Sequence, residues 1–382
     1  MSTIEDCHFS KLQFVWVKTK KEKHSMKHIL IYLFKERTQH NQSVPLQQGF
    51  TLIELLVAMI VATLVITPLL TFMINILDTD RREQAKTSSE QEVQGALDYI
   101  AQDMEQAIYI YDADGIYGKT DPTDSTKNIT GIINQLPNPT DTTKVPVLVF
   151  WKRYFLDNNQ NVTVNNQQQR VGCLVKLSGN ICNNQDYMLY SLVAYYLVKD
   201  NNPTWNSTTA RIERWEIRDG IRDEGGSITR TETINGTTKS VKYLLPPSPG
   251  FMPFNLSLEG DLKKKLGTWT KHSESYNLTI NKQIPLIDFI DQTTTVQGAP
   301  PPACNPDEQQ IPRYSGTNSA PTALQTGSFY VCVNSSKYVA QVFIRGNAKA
   351  RFVSGAEYQS NQSEYFPTAS IQIKARGFLG VN

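Results

Sequence analysis

Histidine is scarce where it would matter. Four of the five (His8, His24, His28, His40) fall in the first 40 residues, and only His272 lies beyond them. A histidine-based zinc site needs more ligands than one, and none of the five cysteines forms a C-x-x-C pair. There is no G-x-S-x-G turn around a nucleophilic serine, and no phosphate-cradling loop of the G-x-x-x-x-G-K-[ST] or G-x-G-x-x-G type. A Ser-His-Asp arrangement through His272 survives only formally. Asp288 and Asp291 form a carboxylate pair, but spacing alone does not make a glycosidase. Internal repeats of fixed period are missing. So is any cationic block after residue 49 of the size that nucleic-acid binding requires. These absences argue against an enzyme, a cofactor and a nucleic-acid partner.

What is present is one long apolar run. Between Phe50 and Leu77 the only ionised side chain is Glu54, and the next charge is Asp78. A bilayer core takes roughly 20 apolar residues in helical form, so the run reads as a single membrane span. Residues 1–49 carry eight Lys/Arg against four Asp/Glu, and the remainder thirty against thirty-two. Basic flanks stay cytoplasmic, which puts residues 1–49 inside and everything after Leu77 outside. Met26 opens a shorter leader and stands as the alternative start. An acid in hydrocarbon costs about 2.5–3.5 kcal/mol on insertion scales, so Glu54 needs a partner or an interface to snorkel to.

The string Gly49-Phe50-Thr51-Leu52-Ile53-Glu54-Leu55-Leu56-Val57-Ala58 resembles the processing site of type IV prepilins and type II secretion pseudopilins. The resemblance implies that a prepilin peptidase cuts after Gly49 on the cytoplasmic face and that the new amine of Phe50 is methylated. It implies that Glu54 pairs with the N-terminal amine of a neighbouring subunit, and that Pro68 loosens the helix. The implied partners are the peptidase, other pilins in a filament and an inner-membrane assembly platform. One departure is Gln47-Gln48 before the glycine, where many relatives carry Lys or Arg. The implied fold is α+β: a long N-terminal helix packed on an antiparallel sheet. The large outer part is most similar to minor pseudopilins, among them those of cyanobacterial hormogonium polysaccharide secretion, and more distantly J-type pseudopilins and W-type minor pilins. Two other readings stand beside the filament subunit: a pilus-tip adhesin that binds glycan, and a plain membrane-tethered exported protein.

The layout expected is a leader (1–49), a membrane or filament-core helix (50–77), its amphipathic continuation (78–111) and a β-rich outer domain (112–382). Val93, Ala96, Leu97, Ile100, Met104, Ala107 and Ile108 recur at helical spacing. The whole helix is then about 60 residues, on the order of 90 Å. Strands are expected at 145–155, 171–177, 187–198, 211–220, 328–333, 338–346 and 370–378, with a hairpin centred on Asn235-Gly236. Along 211–220, Trp215 and Ile217 fall on one face and Arg214, Glu216 and Arg218 on the other. Residues 112–144 and 299–327 read as polar loops. In the first, Asp112, Asp114, Asp121 and Asp124 are a calcium candidate, weakened by the missing EF-hand glutamate. Cys173, Cys182, Cys304 and Cys332 allow three pairings. Proximity favours Cys173–Cys182 and Cys304–Cys332, worth roughly 3 kcal/mol each on the chain-entropy model, with four free thiols as the alternative. Trp205 and Trp269 are candidate sugar-stacking rings or ordinary strand-edge aromatics. Lys263-Lys264-Lys265 reads as a solvated face.

Overall fold

The computed structural model describes residues 51–202, 204–205, 208–234 and 237–375. Backbone contacts divide the chain into two units, residues 1–71 and 72–382. Helix α1 (Leu52–Glu105) includes the apolar run, whose large side chains from Leu52 to Leu77 are all exposed. Among the described residues it is the one helix long and apolar enough to cross a bilayer. Further along, Ala85, Ser89, Val93, Ala96, Leu97, Ile100 and Met104 form a buried stripe at three- and four-residue spacing.

The helix ends at Glu105, earlier than the periodicity suggests. Ala107 and Ile108, expected on the helical stripe, belong to strand β1 (Ala107–Ile110). The reason is local composition. Ile108, Tyr109 and Ile110 are β-branched or aromatic, all are buried, and the strand closes one edge of a sheet. Helix α2 (Ala113–Tyr117) follows, and then β2 (Lys144–Leu156). Two short ribbons come next, β3 (Asn161–Val164) with β4 (Gln167–Arg170) and β5 (Lys176–Leu177) with β6 (Ile181–Cys182). Strands β7 (Tyr187–Val198) and β8 (Ala210–Arg218) extend the main sheet. Strands β9 (Ile221–Arg222), β10 (Ile228–Ile234) and β11 (Thr237–Leu245) make a separate three-stranded sheet. The expected hairpin is its β10–β11 pair; the Asn235-Gly236 turn lies outside the described residues. Helix α3 (Leu262–Gly267) and β12 (Ile284–Ile290) complete the middle of the chain. Strands β13 (Gln309–Ile311), β14 (Phe329–Asn334), β15 (Val339–Arg345) and β16 (Thr368–Lys374) form a four-stranded antiparallel sheet.

The main sheet has the order β1-β2-β7-β8-β12 and is antiparallel throughout. Its register sorts the side chains into two faces. Lys152, Ser191 and Arg218 lie in one row, and Leu148, Tyr195 and Arg214 in another, on the face that receives the end of α1. The opposite face carries Trp151, Leu192 and Ile217, with Ala194 and Trp215. There Phe251, Phe254 and Trp269 meet Trp151 edge-on at centroid distances of 5.8, 5.1 and 5.6 Å, and Tyr276 meets Trp215 at 5.0 Å. The core is therefore two-sided, which is why β2 and β7 read as continuous apolar runs.

Three stretches differ from expectation. Residues 171–177 are a tight turn, with β5 reduced to two residues. Gly172 N–H donates to Asn158 O and Asn184 N–H to Gly172 O, so the backbone pairs locally, and Cys173–Cys182 ties the ribbon. Residues 112–144 are packed: Ile116, Tyr117, Ile132 and Leu136 are buried. Within 299–327, β13 pairs with β14, and Cys304 is bonded to Cys332 on that strand.

One buried charge cluster fastens α1 to the sheet. Asp103 Oδ1 accepts from Lys152 Nζ at 2.7 Å, and Oδ2 accepts from Tyr195 Oη and Arg214 Nε, each at 2.7 Å. Arg214 also donates to Glu216 at 2.7 Å. Burial alone would raise the Asp103 carboxyl, but the hydrogen bonds and charges of Arg214 and Lys152 outweigh it and hold it below the usual carboxylate range. A depressed carboxyl contributes stability that is present above its unfolded value of about 4 and is lost as pH falls through the folded value. Asp103→Asn is therefore expected to lower unfolding free energy by about 3 kcal/mol at pH 7, because Lys152 and Arg214 are left to share the one carboxylate of Glu216. Denaturant titration of the detergent-solubilised protein checks this. The gap between wild type and variant should close as pH falls below about 4. A gap independent of pH would contradict the assignment.

Candidate functional site

The apolar segment of α1 starts with its own cap. Thr51 Oγ1 accepts from Glu54 N–H at 3.3 Å, and Thr51 O accepts from the same N–H at 3.0 Å. Thr51-Leu52-Ile53-Glu54 is thus half of a capping box, a role for these residues that the sequence reading missed although the S/T-x-x-E pattern signals it. The carboxylate of Glu54 is a different matter. Among the described residues it has no hydrogen bond and no ion pair, whereas a complete capping box would return it to Thr51 N–H. Pro68 sits inside the continuous helix, and its missing N–H leaves Leu64 O without the usual donor. The nearby hydroxyls stay satisfied: Thr63, Thr67 and Thr71 donate to Ile60 O, Thr63 O and Thr67 O at 2.9, 2.7 and 3.0 Å. Satisfied hydroxyls are what a helix in hydrocarbon requires. Gly49 and Phe50 lie outside the described residues.

The four candidate calcium ligands do not converge. Asp112 caps α2, accepting from Gly115 N–H at 2.9 Å, and its other oxygen meets Lys263 Nζ at 2.7 Å. Asp114 meets the same Nζ at 2.7 Å and Arg313 at 3.3 Å. Burial raises the Asp114 carboxyl, but Lys263 and Gln309 bring it net below its ordinary value. Asp121 and Asp124 each close a turn on a threonine two residues on, Thr123 and Thr126. The pair Asp112–Asp114 thus holds a lysine where a cation would sit. Lys263 belongs to this partly buried cluster rather than to a solvated face.

His272 is committed to backbone. Its Nδ1 accepts from Glu274 N–H at 3.1 Å, so Nε2 carries the proton and donates to Thr231 O at 2.8 Å. Neither nitrogen faces a serine hydroxyl. Asp291 is fully buried against Arg345 at 2.9 Å, and Asp288 accepts from Thr209, so these two acids do not flank a cleft. Gly118-Lys119-Thr120 repeats the end of a phosphate-loop signature, with Ala113 at its first position. The order here is helix α2 and then loop, with Lys119 bridged to Ile129, where a phosphate loop needs a strand before it and a helix after. Trp269 is a core residue, donating Nε1–H to Met252 O at 2.8 Å, and Trp205 is half-buried. The sugar-stacking expectation is thereby removed for Trp269.

Residues 45–70 match the prokaryotic N-terminal methylation motif. No curated protein and no solved structure matches the chain.

The aspartate cluster generates a paired test. Adding calcium to the purified protein should leave its melting temperature unchanged, because Lys263 and Arg313 already neutralise Asp112 and Asp114. Lys263→Met should cost about 3 kcal/mol by leaving the buried carboxylate of Asp112 without its cation, while Asp114 keeps Arg313. Calcium stabilisation of the wild-type protein in a thermal melt would reverse this reading.

Proposed function

We propose that the chain is a minor pilin or pseudopilin, cut between Gly49 and Phe50 and assembled through α1 into a short filament that assists secretion or gliding motility. The observation that carries the reading is the methylation motif over residues 45–70, placed at the head of a helix long and apolar enough to span a bilayer. In this reading the leader stays on the cytoplasmic side, the span resides in the inner membrane and the β-rich part is exported. A prepilin peptidase, other pilins and an inner-membrane platform are its partners. Polysaccharide as the secreted cargo rests only on the finer likeness to the hormogonium pseudopilins. Two disulfides suit an oxidising compartment outside the cytoplasm.

The chemistry of assembly follows from Glu54. Cleavage creates an amine at Phe50, and methylation leaves it cationic. A carboxylate and an ammonium each pay a desolvation penalty in oil, which their mutual attraction offsets when a short axial offset brings one subunit's amine to the next subunit's acid. Pro68 removes one backbone hydrogen bond from the span and gives the helix room to adjust as it moves from bilayer to filament.

The tip-adhesin reading shares the anchor and differs in what the outer domain does; loss of attachment with normal secretion in a deletion strain would favour it. A plain tethered protein needs neither processing nor Glu54. Mass spectrometry of the mature protein should find N-methylated Phe50 as the first residue, and an intact leader would remove the proposal. The cap uses only the backbone N–H of Glu54, so it survives in both Glu54→Gln, which removes the charge, and Glu54→Leu, which removes the polar group as well. Both variants should insert in the membrane yet be absent from sheared filaments. Normal assembly of Glu54→Gln would show that the charge is not needed.

A further inference from the structure

The outer domain carries a groove of about 1230 Å³ that none of the residues discussed above explains. Its floor is the end of β8 with Tyr154 of β2. Its walls come from β10, from the β3–β4 ribbon and from residues 280–284. The groove is open to solvent along its top, so it suits a chain lying through it better than a small enclosed molecule.

The charge inside is unbalanced. Arg218 donates Nη1–H to Tyr154 Oη at 3.0 Å and stacks over that ring at 5.2 Å, and among the described residues it has no carboxylate partner. Lys282 is exposed and likewise has none among the described residues. Arg230 is only 10% exposed. It spends Nη2 on Phe251 O at 2.7 Å, while Nε and Nη1 make no hydrogen bond and its nearest carboxylates, Glu232 and Glu274, stand off at 3.7 Å. Arg214 also lines the groove, but it is already joined to Asp103 and Glu216. Two cations without a carboxylate partner among the described residues, Arg218 and Lys282, therefore share the groove with the Arg230–Glu274 pair. Between the cations the lining includes amides and hydroxyls, from Asn161, Asn166, Asn281, Thr163, Thr229 and Thr231. Mixed with them are apolar Ile228, Ile280 and Ile284 and the prolines at 246, 247 and 249, so the surfaces suit both the hydroxyls and the C–H faces of sugar rings.

We propose that this groove binds a segment of an acidic polysaccharide, a hydroxyl-rich chain that carries carboxylates. Guanidinium groups read carboxylates through paired N–H donors. Asparagine amides and threonine hydroxyls both donate and accept, which matches ring hydroxyls that do the same. An acidic peptide would satisfy the cations and leave the amide walls poorly used. A neutral glucan would satisfy the walls and leave the cations unpaired. This inference rests on the outer domain alone, independently of processing at Gly49 or of filament assembly.

The test uses the full-length protein in nonionic detergent and three probes: polygalacturonate, dextran and poly-glutamate. Polygalacturonate is expected to bind, more weakly as salt rises. The Arg218→Gln/Lys282→Gln double variant should bind it about tenfold or more weakly, because it loses two charge-assisted contacts. Both side chains are at least partly solvent-exposed, so the variant's melting temperature should stay near wild type; Lys282→Glu, at the exposed position, repeats the test if it does not. Absence of polygalacturonate binding, or binding unchanged in both variants, overturns the site. Equal affinity for dextran, or equal affinity for poly-glutamate, overturns the ligand class.

Discussion

The structure outside the apolar run depends on how Asp103 is held. Near the end of α1 its two carboxylate oxygens take four hydrogen bonds, from Lys152 on β2, Tyr195 on β7 and two nitrogens of Arg214 on β8. One side chain thus reaches three adjacent strands. The apolar stripe from Val93 to Met104 supplies most of the burial free energy, but burial is non-directional and would tolerate a helix rotated or slid along the sheet. The ion cluster does not tolerate it, because a displaced Asp103 would be a buried carboxylate without a cation and would leave Lys152 and Arg214 to share Glu216. The helix ends two residues later and the chain enters β1 at the sheet edge, so the position of Asp103 also fixes where the first strand begins.

Much of this was legible in the residues. The 3.6-residue stripe located the helix, and the β-branched and aromatic runs located β2, β7, β8, β14 and β15; of these β2, β7 and β14 are buried on both faces and read as continuous apolar runs. The alternation of Trp215 and Ile217 against Arg214, Glu216 and Arg218 is the observed division of β8 between the two faces. What stayed hidden was every feature made by distant partners. Nothing near Asp103 in sequence announces Lys152 or Arg214, which lie 49 and 111 residues away. Ala107 and Ile108 fit a helical stripe as well as a strand, and the β-branched and aromatic composition of 108–110 together with the free edge of β2 decides for the strand. The acids of 112–124 looked like an exposed loop because Lys263, their partner, is 149 residues on from Asp114. Trp269 looked exposed for the same reason, since its neighbours Trp151 and Met252 are not its sequence neighbours.

Acids elsewhere in the chain give Glu54 its meaning. Asp103, Asp112, Asp291 and Glu232 are all buried, and each is met by a cation or a tyrosine of the same chain. For these four acids the fold supplies the compensating partner from the same chain. Glu54 is the exception: the most apolar stretch of the chain contains it, and its carboxylate has no partner among the described residues. The half-formed capping box uses the backbone N–H of Glu54 and so does not account for its side chain. In the proposed reading the positive group it meets is the amine that cleavage would free at Phe50 of a neighbouring copy, within the segment that matches the methylation motif.

The groove in the outer domain presents the same asymmetry with the sign reversed. Exposed lysines on this surface are ordinary solvated charges and carry no message. Arg218 and Lys282 differ because they share one concave space and have no carboxylate partner among the described residues. Gathering uncompensated like charges in one groove focuses a positive potential there, which an incoming carboxylate would neutralise. The two departures from internal neutrality then fall at the two places where this chain would meet something else, a neighbouring subunit through α1 and an anionic polymer through the groove.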